Sequence, residues 1–296
     1  MLKGLMVLLL VALACGGCDQ FKTDHELFKK GLEKYNKGDY TGAITDFTLY
    51  LQKKPQSTAA YDNRGKAEMM LARFDAAKID FNRSLEINPT NAMALADRAY
   101  VEVRLQEFDA GIGDALHAIK INPTNSLAYS SMGFASMELK KWDDAIWYFS
   151  HVIELDPHSS IAFENRGLSK RQVYDYQGAI ADFDQAISFN EGDSQMFSER
   201  GFLKFKAGDF DGAIVDSTKA ITLDSTNLAP YPVRAEAKIG KLDYDGAIAD
   251  YSKAIELHPT DFGAYDNRAI AWEKKGDHQK ALPCFFRYFS QLSAAP

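Results

Sequence analysis

The chain has 296 residues and a formal net charge of −7, with acidic and basic residues mixed along its length, which excludes a nucleic-acid binder that works through a net basic face. Its 46% hydrophobic content is that of a soluble globular protein. Cysteine occurs only as Cys15, Cys18 and Cys284, so no intradomain disulfide framework is available and packing must supply the stability.

In chain order, Met1-Leu2-Lys3 carries one positive charge, and Gly4 to Ala14 is an uncharged apolar run that ends at small residues around Cys15. This is the layout of a secretory signal, too short for a spanning helix. A cysteine directly after such a run resembles the lipobox of bacterial lipoproteins, in which the cysteine is acylated and becomes the mature N-terminus. Cys15 fits the pattern, with the small Ala12 and Ala14 upstream, and Cys18 is the alternative; an ordinary cleaved signal or an uncleaved anchor shares the layout. Residues 1–14 are therefore expected as a lipoprotein signal peptide and 15–23 as a lipidated tether.

From residue 24 the chain repeats. Ala43, Ala77, Gly111, Ala145, Ala179, Ala213, Ala247 and Ala281 stand 34 residues apart, which divides the chain without insertion or deletion into repeats 24–57, 58–91, 92–125, 126–159, 160–193, 194–227, 228–261 and 262–295. The fourth place of each repeat is large and apolar (Leu27, Tyr61, Leu95, Tyr129, Phe163, Phe197, Tyr231, Tyr265) and the eighth is Gly or Ala, such as Gly31, Gly65 and Ala99. At that spacing the two share one helical face, the small one admitting a second helix. An aromatic follows (Tyr40, Phe74, Phe108, Trp142, Tyr176, Phe210, Tyr244), after which a second helix is expected to start at the small residue and to carry a bulky one four places on, as in Phe47, Phe81, Phe149, Phe183, Tyr251 and Phe285. Pro55, Pro89, Pro123, Pro157 and Pro259 mark its end.

This pattern resembles the tetratricopeptide repeat (TPR) family over residues 24–295. The resemblance implies an all-α fold: one alpha-solenoid superhelix of eight helix-turn-helix units, the first helix of each lining a concave groove. Departures locate weak points. Glu191 and Ser225 replace proline in two turns. Pro230 and Pro232 fall where the seventh repeat's first helix should begin, so a late start is expected there, with Gly240 weakening the same helix and a bend or flexible point at this repeat. Pro283 is tolerable only near the start of the last helix. Phe285, Phe286, Tyr288 and Phe289 leave that helix either as an exposed aromatic edge, able to join copies through 282–292, or folded back on the seventh repeat.

One pattern exceeds the repeat. The seventh place is Lys30, Arg64, Arg98, Arg166, Arg200, Arg234 or Arg268, and the twenty-third is Asp46, Asp80, Asp114, Asp182, Asp216 or Asp250; the fourth repeat has Met132 and Tyr148 and loses both charges together. Joint loss predicts ion pairs within each repeat rather than an anion-binding stripe.

No catalytic or metal motif is present: the six histidines show no HxxxH or HExxH spacing, and no phosphate loop or GxSxG elbow occurs. An enzyme, a cofactor and a metal site are not expected. The resemblance points instead to the groove, where Phe28, Leu32, Tyr35, Met69, Met70, Tyr100, Val103, Arg104, Phe134, Met137, Leu168, Arg171, Phe202 and Phe205, followed by Ile239 and Ile270, form an adaptable aromatic and methionine surface for a protein or peptide partner. The other reading of the aromatic places is packing between neighbouring helices. The Lys and Asn set of a carboxylate clamp is absent. The chain thus resembles envelope TPR lipoproteins, a resemblance that implies a lipid-anchored scaffold of the bacterial cell envelope, facing the periplasm and expected at the outer membrane, that helps assemble an envelope complex; self-assembly through the last helix is the alternative.

Overall fold

The computed structural model describes residues 24–283, and every regular element among them is helical. Helix α1 spans 24–36. It is followed by α2 (Tyr40–Lys53), α3 (Thr58–Met70), α4 (Phe74–Ile87), α5 (Ala92–Arg104), α6 (Phe108–Ile121), α7 (Ser126–Glu138), α8 (Trp142–Leu155), α9 (Ser160–Gln172), α10 (Tyr176–Phe189), α11 (Ser194–Lys206), α12 (Phe210–Leu223), α13 (Pro230–Gly240), α14 (Tyr244–Leu257) and α15 (Phe262–Lys275). A last helix, α16, is described over 278–283. The fold class is an all-α solenoid of consecutive helix pairs, each repeat supplying one pair. Contacts group the chain into two compact bodies, Met1–Lys140 and Lys141–Pro296, the first holding α1 to α7 and the second α8 to α16. The expected signal peptide and tether, with Cys15 and Cys18, lie outside the described residues, as do Cys284 and the aromatic residues that follow it. Among the described residues no helix is long and apolar enough to cross a membrane.

The eighth and twenty-fourth places explain the pairing. An added Cβ on Gly65 would stand 2.9 Å from the Phe81 ring, and Phe81 is fully buried. Glycine is needed there because the ring of the second helix fills the space above the first helix's backbone. In the third repeat Ala99 at the eighth place goes with a small Ala115 at the twenty-fourth, both fully buried, whereas the seventh repeat holds Ala235 together with the buried Tyr251.

Two sequence expectations need correction. The second helices α2 to α14 start at the aromatic residue, three places before the small one; in four of them the residue ahead caps the helix, Asp39, Asp175, Asp209 and Asp243 accepting a hydrogen bond from the backbone N–H of Gly42, Gly178, Gly212 and Gly246, while α4, α6 and α8 start at the same place without a side-chain cap. Gly240 does not weaken the interior of α13, since it is that helix's last residue. Pro283 lies in the second turn of α16, among the first turns of that helix as expected. The late start of α13 is observed: Pro230 is its first residue, two places after the usual beginning, and Ala229 at its cap makes no side-chain bond. Helices α10 and α12 end at the usual place without proline.

A feature with little trace in the sequence sits between the helices of a pair. The fifteenth place is left-handed in every described repeat, at Gly38, Ala72, Gln106, Lys140, Tyr174, Gly208, Leu242 and Gly276, with φ from 56° to 88°. Only three are glycine, so the other five hold a backbone conformation that costs them energy and that the packing of the two helices enforces.

Candidate functional site

The arginine and aspartate places meet within the repeat. Asp80, Asp114, Asp182, Asp216 and Asp250 each accept from Nε and Nη2 of Arg64, Arg98, Arg166, Arg200 and Arg234, at 2.5 to 3.0 Å. The first repeat departs from this: Lys30 is exposed, and Asp46 is met by Lys34 at 2.7 Å. Lys34 holds the eleventh place, one helical turn further on, and the lysines there in later repeats, Lys170, Lys204 and Lys238, also reach their Asp at 2.8 Å.

Each arginine has a second task that pattern reading overlooked. Its Nη1 donates to the twenty-fifth place of the preceding repeat: Arg64 to Thr48, Arg98 to Asn82, Arg166 to Ser150, Arg200 to Asp184, Arg234 to Thr218 and Arg268 to Ser252, at 2.7 to 3.1 Å. The guanidinium thus ties its own second helix to that of the previous repeat. The residue at this place ahead of Met132 is Leu116 of the third repeat, so where an arginine is missing its acceptor in the preceding repeat is apolar as well. The arginines are committed to structure and offer no stripe for anions.

The predicted groove residues divide by environment. Phe28, Leu32 and Tyr35 pack on the core formed by Ala43, Phe47 and Ala67, with the Phe28 ring 5.5 Å from Phe47 and 5.2 Å from Tyr50. Met69 packs on Phe81 and Val101, while Met70 is exposed. Tyr100, Val103, Arg104 and Phe134 come together: they line a cavity of about 290 Å³ on the face shared by α5 and α7, with Gln106 and Glu138 at its rim. Tyr100 and Phe134 meet edge to face at 6.4 Å, and Arg104 lies over the rings of Phe74 and Tyr100. Met137 is half-buried on α7.

In the second body, Leu168 packs on the core around Phe163 and Phe183. Arg171 lies over Phe202 and pairs with Glu199. Phe205 lines a separate cavity with Phe210, Ile239 and Gly240, bordered by Lys206 and Glu236, and Ile270 is exposed on α15. Glu236 and Glu164 were passed over because the expected surface was aromatic; both are half-buried, and burial pushes both carboxyls up. Among the described residues no group of three or more His, Cys, Asp and Glu side chains gathers as metal ligands.

One buried acid lies beside this face in the first body. Asp97 on α5 is 3% exposed, its nearest cation is Lys66 at 3.2 Å, and burial pushes its carboxyl up to about 6. An unfolded aspartate titrates near ~3.9, so between about pH 4 and pH 6 the folded chain binds more protons and stability falls as pH rises, levelling off above that window. Asp97→Asn should remove this fall, worth up to roughly 3 kcal/mol. Urea midpoints of both proteins from pH 4 to 7 test it; parallel profiles would show that Asp97 does not contribute.

With the geometry described, comparison with known proteins adds the class. Residues 58–91 and 233–289 match models of the tetratricopeptide repeat. The fold is similar to that of a tetratricopeptide repeat protein from Parabacteroides merdae, 20% identical over 84% of this chain and 99% of that one, TM-score 0.56. It is similar to pilF of Pseudomonas aeruginosa, 20% identical over 72% and 96% of the two chains, TM-score 0.63. It is also similar to YrrB, a tetratricopeptide protein with an unusual peptide-binding site, 17% identical over 62% and 95%, TM-score 0.59. No curated protein matches the chain. The class is a solenoid of tetratricopeptide-type helix pairs, a fold that typically serves as a scaffold for protein–protein interaction.

Proposed function

We propose that the chain is a membrane-tethered scaffold that binds a segment of a protein partner on the face of its first helices and helps assemble a complex of the bacterial cell envelope. The observation that carries this reading is the cavity between Tyr100 and Phe134, floored by the buried Val103 and rimmed by Arg104 and Glu138. Aromatic walls around an apolar floor suit an anchoring side chain, and the charges at the rim orient it. The peptide-binding site of YrrB lends support by fold alone. Tethering rests on the lipobox-like stretch at Cys15, with Cys18 as the alternative; Cys15→Ser should abolish incorporation of labelled palmitate, and labelling that persists in Cys15→Ser but is lost in Cys18→Ser moves the anchor.

Affinity capture from detergent-solubilised envelopes tests the partner face. A Phe134→Glu/Phe202→Glu variant with an unchanged helical spectrum should lose the partner that the intact protein retains. Identical partners for both proteins would remove the first-helix face as the binding surface.

A further inference from the structure

The thirteenth place of the repeat is a long or polar side chain in seven repeats (Asn36, Met70, Arg104, Glu138, Gln172, Lys206, Lys274) and glycine at Gly240. Arg104 shows what such a side chain can do: its guanidinium lies 5.2 Å from the centroid of Phe74, the aromatic at the seventeenth place of the preceding repeat. In the second body the equivalent aromatic is Phe210 and the equivalent partner is Gly240. The Phe210 ring leans so close to that glycine that an added Cβ would stand 2.8 Å from its Cε2. The ring thus rests against the Gly240 backbone and packs on Phe205 at 5.9 Å between centroids, and its remaining surface lines a cavity of about 520 Å³, with Phe205 and Ile239 as apolar wall and Lys206 and Glu236 at the edge.

Glu236 makes no hydrogen bond and no ion pair within contact distance among the described residues; burial raises its pKa and the charge of Lys206 opposes the rise. The Lys206 ammonium is itself placed over Phe202 and Phe205, at 5.4 and 5.5 Å from their centroids. A partly buried ring and a half-buried carboxylate without a counter-charge in contact thus line one cavity.

We infer that this cavity receives an arginine side chain from the protein partner, its guanidinium stacked on Phe210 and donating to Glu236, its stem along Phe205 and Ile239. The partner supplies in trans the cation–ring contact that Arg104 makes over Phe74 within the chain. Arginine suits the place better than lysine because its planar fork can stack and donate to a carboxylate at once. The inference rests on the reading that the first-helix face binds a protein segment.

The test uses the full chain in detergent and two fluorescein-labelled capped peptides, Ala-Leu-Arg-Leu-Ala and the same peptide with citrulline, the neutral isostere, in place of arginine. The arginine peptide should bind at least about tenfold more tightly, since only it offers a charge-assisted pair. Glu236→Gln, nearly isosteric, should remove that preference while leaving the weak citrulline binding in place. Equal affinities for the two peptides, a preference that survives in Glu236→Gln, or no binding of the arginine peptide at millimolar concentration would each overturn the inference. Loss of the envelope partner by Phe134→Glu/Phe202→Glu but not by Glu236→Gln leaves the binding face standing and removes the arginine site. Capture that neither variant disturbs removes the face itself.

Discussion

Phe81→Ala is expected to cost about 3–5 kcal/mol, the range for emptying a fully buried aromatic site. Phe81 has no exposed surface, fills the space over Gly65, and packs with Ala77, Val101, Met69, Phe74 and Leu105. The site cannot collapse to recover that loss. Gly65 has no side chain to move in, and the Arg64–Asp80 pair and the left-handed turn at Ala72 fix the spacing of α3 and α4. In a repeat array the damage should be local. Hydrogen exchange should speed up in α3, α4 and α5 and leave α10 to α12 at their original rates. A urea-unfolding cost below about 1 kcal/mol would mean that the cavity is absorbed by rearrangement and that the eighth and twenty-fourth places are not tightly coupled.

Arg64→Met should cost nearly as much, for an electrostatic reason. The Asp80 side chain is 4% exposed and accepts two bonds from Arg64; the eleventh place of its repeat is Glu68, so no lysine stands in when the arginine is gone. An unpaired buried carboxylate costs about 3–5 kcal/mol. Arg200→Met removes the same guanidinium, yet Asp216 keeps Lys204 at 2.8 Å and should lose clearly less. The double variant Arg64→Met/Asp80→Leu should recover most of the stability, because it removes the stranded charge together with its partner. Urea unfolding of the four proteins decides the matter. Equal losses for Arg64→Met and Arg200→Met would show that the eleventh-place lysines do not share the load, and failure of the double variant to recover would show that the arginine matters chiefly by tying one repeat to the next.

Much of this was legible from residue type and spacing because both act locally. A period of 34 residues with small, large and aromatic places in fixed register admits one helix pair per repeat, and the joint absence of charge at Met132 and Tyr148 pointed to pairing within the repeat. The first repeat was misassigned because Lys30 and Lys34 lie on adjacent turns of one helix, and only the position of Asp46 chooses between them. The second bond of each arginine was missed because its acceptor place varies among Thr48, Asn82, Ser150, Asp184, Thr218 and Ser252, so no single residue type recurs there as aspartate does at the twenty-third place. Only three of the eight left-handed turns carry the expected glycine.

The candidate site shows the same division. The aromatic places of the first helices were visible as a set, but whether a ring ends in the core, as Phe28 does against Phe47, or beside an open cavity, as Phe134 does, depends on what the neighbouring helix brings opposite it. Gly240 read from the chain alone is a poor helix former. In place, it is the last residue of α13 and lets the Phe210 ring rest against its backbone in the cavity that Glu236 borders. Composition and period determine that this protein is a stack of helix pairs, since burying one face of every helix leaves that arrangement as the solution. Tertiary packing alone decides which side chains are used up in holding the stack together and which remain for a partner, because that choice turns on contacts between residues from different repeats.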